Sequence, residues 1–156
     1  MTLPAARSLT LAQQVSLLSG GDFWRTRPLP EVGIPSAVLS DGPHGLRFQA
    51  DGAEHLGMSG SEQSTCFPTA VTIASSWDEE LAEEIGRALA GEARALGVDV
   101  VLGPGLNIKR HPLCGRNFEY FSEDPLLTGR LAAAMVTGLQ RNGVGACLKH
   151  FAVNNQ

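Results

Sequence analysis

Three groups of residues in this chain could do chemistry together, and each follows a short apolar run that reads as a strand. Asp41 comes after the run Ile34 to Leu39, Lys109 to Arg116 come after Val98 to Leu102, and Lys149-His150 close the run Val144 to Leu148. In parallel α/β folds the carboxyl edge of the sheet is where ligands bind, because loops from several strands converge there. The residue types suit one task. An ionised Asp only accepts hydrogen bonds, Arg offers a rigid donor fork, and Lys and His donate to further oxygens. A polyhydroxylated ring in a partly desolvated pocket needs that mixture, since an analogue lacking one hydroxyl leaves a buried polar group unpaired. Trp24 and Trp77 are available as stacking faces, but the sequence does not place either at the site.

The elements that must position these groups alternate between two periods. Thr10-Leu11-Ala12-Gln13 is a capping box. It predicts a short amphipathic helix with Leu11, Val15 and Leu18 on one face, stopped at Gly20-Gly21. Ile34 to Leu39 predicts a buried strand halted by Ser40-Asp41-Gly42-Pro43. Asp51 to Thr65 reads as a long polar loop, and the β-branched run Ala70 to Ala74 as a second strand. Ser76-Trp77-Asp78-Glu79 reads as another capping box, opening a helix with Leu81, Ile85, Leu89, Ala93 and Leu96 on one face and Gly97 at its end. Val98 to Leu102 is a third strand whose continuous apolarity predicts burial on both faces. Asp124-Pro125 starts a helix with Leu127, Leu131, Met135 and Leu139 as its buried stripe, and Val144 to Leu148 is a fourth strand. Helix, β, then β-α-β-α-β with apolar strands is the pattern of a parallel α/β sheet with right-handed crossovers. No glycine-rich phosphate loop of the doubly wound type is present, and a closed eight-stranded barrel needs roughly 200–250 residues, more than this chain has.

Composition narrows the function classes. Of 156 residues, 12 are Lys or Arg and 16 are Asp or Glu, a formal charge of −4 that disfavours binding to nucleic-acid phosphates. Hydrophobic residues make up 43 % and charged residues 18 %, which excludes a disordered chain, and no apolar run approaches the ~18–20 residues of a membrane span. The N-terminal residues lack the pattern of a secretory signal, and three widely spaced cysteines do not form a disulfide framework. Both point to a cytoplasmic location, with the cysteines packed as small hydrophobes.

Ser40-Asp41-Gly42-Pro43-His44-Gly45-Leu46-Arg47 resembles the S-D-G-P-x-G-x-R segment of the family 3 glycoside hydrolases, the β-glucosidase-like enzymes. So do the segments Lys109 to Pro125 and Cys147 to Gln156, in the same order. The resemblance implies that residues 1–156 are the front of a (β/α)8 barrel domain, about its first four β/α units with parallel strands. It implies retaining, cofactor-free hydrolysis of terminal β-D-glucosyl residues. Asp41, Arg116, Lys149 and His150 would hold the non-reducing glucose, with unusual backbone geometry expected at Lys149-His150. The nucleophile and the acid/base carboxylate are expected beyond Gln156, so no catalytic residue is assigned within the chain and the 156 residues alone are expected to be inactive.

Other readings stay open on the residues themselves. Glu119, Glu123 and Asp124 are spare carboxylates, of which Asp124 also reads as a helix cap and the other two as loop-ordering groups. Arg47 could serve ligand or loop. His111, Cys114, Cys147 and His150 include four zinc-type ligands, although a three-residue offset on a strand turns Cys147 and His150 to opposite sides. A catalytically inactive carbohydrate-binding fragment would share the sugar pocket without the chemistry. The expected partner is a β-glucoside or short oligosaccharide, with no nucleic acid or membrane. Unpaired sheet edges would favour a homo-oligomer.

Overall fold

The computed structural model describes residues 6–49, 60–152 and 154. Three parallel strands form one sheet in the order β1-β2-β3: β1 is Leu39–Asp41, β2 is Val100–Leu102 and β3 is Gly145–Ala146. Leu39 pairs with Val100 and Asp41 with Leu102, while Val100 pairs with Gly145. The register therefore brings Asp41 level with the end of β2. The connections are helical, as the alternating pattern predicts. Helices α1 (Leu11–Leu17), α2 (Ala70–Ala74), α3 (Glu79–Ala95) and α4 (Pro125–Arg141) complete the set of α-helices among the described residues.

The Thr10 capping box forms as read, with the Gln13 amide N–H donating to Thr10 Oγ1 and the Thr10 N–H to Gln13 Oε1. Its helix is nonetheless exposed on the face expected to be buried: Leu11 is 76 % and Leu18 is 88 % accessible. The Asp124 carboxylate caps α4 by accepting from Leu127 N at 2.7 Å, with Pro125 in the first turn. At α3 the cap is Asp78, which accepts from Leu81 N at 3.0 Å, rather than Ser76. The Ser76 hydroxyl donates instead to the Ile73 carbonyl, ending α2.

Two expectations are corrected. Ile34 to Val38 lies outside the ladder, because the strand begins at Leu39 and runs into Asp41. The residues before it make isolated bridges instead, Ile34 with Leu29 and Val38 with Arg25. Ala70 to Ala74 is a helix and not a strand, which leaves three strands where four were expected. Its burial shows why: Ala70, Ile73 and Ala74 face the core while Val71 and Thr72 face out, a helical period that the β-branched composition masks. Most of the 51–65 loop lies outside the described residues.

The core joins Val101, Val98 and Val144 from the sheet region to Ile85, Leu89, Leu131, Met135 and Leu139 from the helices. On α3 the buried stripe is Ala82, Ile85, Gly86, Leu89, Ala90 and Ala93, so Leu81 turns partly outward. The small residues let α3 and α4 meet backbone to backbone. A Cβ on Gly86 would lie 2.3 Å from the Met135 carbonyl oxygen, and one on Gly138 would lie 2.2 Å from that of Glu83. Gly91 and Gly129, in the same two helices, have open space beside them.

These four glycines give opposite signs for one substitution. Gly→Ala in a helix normally gains about 1 kcal/mol. We expect that gain for Gly91→Ala and Gly129→Ala. For Gly86→Ala and Gly138→Ala a backbone carbonyl cannot give way cheaply, so a loss of roughly 1–3 kcal/mol should outweigh it. Denaturant melts of the four variants check the split, and a stabilising Gly86→Ala would refute the close approach.

Candidate functional site: a charge-balanced cluster at the sheet edge

The end of β1 turns sharply. Gly42 has φ 110° and Gly45 φ 140°, conformations that side chains rarely adopt. Gly45 N–H donates to the Gly42 carbonyl and Arg47 N–H to the Asp41 carbonyl at 3.0 Å, which fixes Asp41 at the mouth of a tight loop. Beyond β2, Gly105 bridges to both Tyr120 and Lys149, and Leu106 N–H donates to the Lys149 carbonyl at 2.9 Å. The loop after β2 and the segment after β3 are thereby laid side by side.

The four residues singled out from sequence meet there in one network. Lys149 Nζ lies 2.8 Å from Asp41 Oδ1, across 108 residues of sequence, and 3.5 Å from Glu119 Oε2. Glu119 Oε1 accepts from Arg116 Nε. Arg116 Nη2 lies 2.7 Å from His150 Nε2, and His150 Nδ1 lies 2.7 Å from Tyr120 Oη. Asn107 Oδ1 accepts from the His150 backbone N–H at 2.6 Å. The Lys149–His150 peptide is cis, the kind of irregular backbone expected for this segment.

A cavity of about 380 Å³ is lined by Asp41, Arg116, Glu119 and Lys149 together with His44 and Phe118. His150 stands behind Arg116 and does not line it. Glu119 is buried and holds both cations, a central role that the loop-ordering reading understates. Phe118 supplies the aromatic face. Its position between Arg116 and Glu119 is the one signal that could have found it. Trp24 is instead buried in the core, beside a larger cavity of about 620 Å³ that reaches Asp41 from the other side with Arg47 in its wall. Trp77 is 75 % exposed on a different surface.

Two carboxylates face two cations, so the cluster is close to neutral and suits an uncharged, hydrogen-bonding ligand. Burial pushes the Asp41 carboxyl up, but the Lys149 hydrogen bond and charge, the Gly42 amide and Arg116 together hold it below its ordinary 3.8. Burial, with Arg116 and Lys149 nearby, lowers His150 below 6.5 against the pull of Glu119 and Asp41. Burial does the same to His44, although the Pro68 carbonyl and the two carboxylates raise it in part. Neither His44 ring nitrogen makes a hydrogen bond of normal geometry. The zinc reading is corrected. His111 Nδ1 accepts from Leu113 N–H, His150 is held by Arg116 and Tyr120, and among the described residues no three potential ligands gather around a metal-sized site. Cys66 and Cys147 are exposed thiols rather than packed hydrophobes, and Cys114 is half-buried.

Both histidines bind fewer protons folded than unfolded below pH 6.5, so their contribution to stability is present above that value and lost as pH falls. Asp41 adds a second loss below about 3.8. Thermal melts should give a Tm that is flat from pH 7 to 8 and falls between 6.5 and 5. A flat profile down to pH 5 would show that neither imidazole is buried in its neutral form.

A family profile described as "Glycosyl hydrolase family 3 N terminal domain" matches residues 36–155. "Thermostable beta-glucosidase B" of Acetivibrio thermocellus is 56 % identical over 150 residues, covering 96 % of this chain and 20 % of that protein. "Exo-alpha-(1->6)-L-arabinopyranosidase" of Bifidobacterium longum is 50 % identical over 156 residues, covering 99 % of this chain and 21 % of that protein. The solved structure of beta-glucosidase 3B from Thermotoga neapolitana in complex with glucose superposes with a TM-score of 0.83 at 45 % identity, over 96 % of this chain and 23 % of that one. The chain thus spans about a fifth of the length of the curated relatives it matches. A profile covering most of the sequence, and identity sustained along nearly all of it, show that this chain belongs to glycosyl hydrolase family 3, matching the N-terminal domain of that family.

Proposed function

We propose that this chain supplies the sugar-holding part of a retaining β-glucosidase. Its three-stranded parallel sheet would be an arc of a (β/α)8 barrel. The observation that carries the reading is Lys149 Nζ between Asp41 and Glu119, at a cavity also lined by Arg116. A neutral pyranose offers hydroxyls that can donate to the exposed half of the Asp41 carboxylate and accept from Arg116 and Lys149. Phe118 lies where an apolar sugar face can rest.

Retaining hydrolysis needs two carboxyl groups about 5–5.5 Å apart. One attacks the anomeric carbon while the other protonates the departing aglycone oxygen, and water then releases the sugar as the second group takes back a proton. Neither carboxylate of the cluster suits those tasks. Asp41 is held ionised by Lys149, and Glu119 is engaged by Arg116 and Lys149. The family resemblance implies a reacting pair outside residues 1–156, and the role proposed for the cluster is to orient the ring. The arabinopyranosidase relative makes the sugar a point to test, because the same grip can hold a pyranose without a hydroxymethyl group.

The test uses the full-length polypeptide carrying this sequence and aryl glycosides. Asp41→Ala removes charge-assisted hydrogen bonds of roughly 1.5–3 kcal/mol each, so kcat/KM for an aryl β-D-glucoside should fall by about 100-fold or more. The 156-residue chain alone should show no saturable turnover. Faster cleavage of an aryl α-L-arabinopyranoside would move the assignment to that sugar. Turnover by the 156-residue chain that is lost on Asp41→Ala would place the chemistry inside it.

A further inference from the structure

We infer that a second cavity, walled by Trp77, Lys109, Arg110 and His111 beyond the end of β2, binds a six-membered ring that carries a carboxylate. A uronic acid unit and an aromatic acid both have that chemistry. The inference is independent of the sugar-holding reading, because this cavity is separate from the cluster around Asp41. It measures about 410 Å³ and also takes in Asn117 and Glu123. The segment Lys109 to Glu123 stands between the two cavities. Arg116, Phe118 and Glu119 line one, while Lys109, Asn117 and Glu123 line the other. The dividing segment is braced from within: Lys109 N–H donates to the Ser122 carbonyl at 3.2 Å, and the Asn117 side-chain amide donates to the His111 carbonyl at 2.9 Å.

Two features of this cavity serve no purpose in folding. Lys109 is half-buried, and burial pushes its ammonium below the ordinary 10.5. No hydrogen bond or ion pair to its Nζ offsets that cost among the described residues. A desolvated cation without a partner is the complement of an anionic group. Arg110 and His111 share its wall, in which Glu123 is the one carboxylate, so cations are in surplus here and balanced in the Asp41 cluster. The second feature is Trp77. It holds φ 57°, a left-handed conformation that a bulky residue rarely adopts, and it is 75 % exposed. Asn or Gly would make that turn with less strain, and the core gains nothing from the indole. An open indole face beside an unpaired ammonium fits a flat ring whose face is apolar and whose edge bears the charge.

Calorimetric titration of the full-length polypeptide with D-glucuronate and with 4-hydroxybenzoate tests this. At least one of the two acids should bind in the millimolar range. Lys109→Gln and Trp77→Asn should each weaken that binding by about 10-fold, Asn being chosen because it tolerates the left-handed turn. In the unmodified polypeptide the affinity should fall as salt is raised, a readout that does not depend on how the variants fold. Tighter binding of D-glucuronate identifies the ligand as a uronic acid unit, and tighter binding of 4-hydroxybenzoate identifies it as an aromatic acid. The proposal is overturned if neither acid binds, if either variant leaves the affinity unchanged, or if salt has no effect. A crystal structure of the full-length polypeptide in which other residues cover Trp77 would overturn it as well.

Discussion

The ammonium of Lys149 is the joint on which the cluster depends. It is largely buried, it reaches Asp41 from the other end of the described chain, and it touches Glu119, which in turn holds Arg116. A buried ammonium without partners would be costly, and removing one partner from such a pair typically costs about 3–5 kcal/mol. The cluster is consequently all or nothing. Each carboxylate is needed to keep a cation in place, and the Lys149 ammonium helps to hold Asp41 in its ionised form. The ligand recognition proposed for the cluster would draw on the same contacts as local folding.

This requirement reaches back into the scaffold. Lys149 can meet Asp41 only if β1, β2 and β3 lie side by side in the observed register and the Gly103 to Gly105 segment lets the two loops touch. Beside the sheet, α3 and α4 pack against each other at a spacing set by Gly86 and Gly138, and α4 contacts β3. A methyl group at that crossing would push the helices apart.

The balance of charge also separates the functional readings. A site for a phosphorylated or acidic ligand needs a surplus of cations, whereas here two carboxylates offset Arg116 and Lys149. Burial and the neighbouring cations also shift the His150 imidazole toward its neutral form. What is left facing the cavity is a set of fixed donors and acceptors with almost no net field, the arrangement that selects hydroxyl geometry over charge.

The sequence alone determined the local events. The Thr10 box, the Asp124-Pro125 start and the stripe Leu131, Met135 and Leu139 depend on contacts within about four residues, and the short motifs around Asp41, Arg116 and Lys149-His150 named the family. Tertiary structure decided the rest. Ala70 to Ala74 became a helix because one of its faces is covered by the core, while the equally well patterned Leu11, Val15 and Leu18 stayed exposed because nothing in the described chain covers them. Glu119 changed from a loop residue to the centre of the site, and the His150 ring acquired its hydrogen-bonding roles, through partners 30 residues and more away. Periodicity and capping report only which way a side chain leaves its own element. What it meets there depends on how the elements pack, and that is a property of the folded chain.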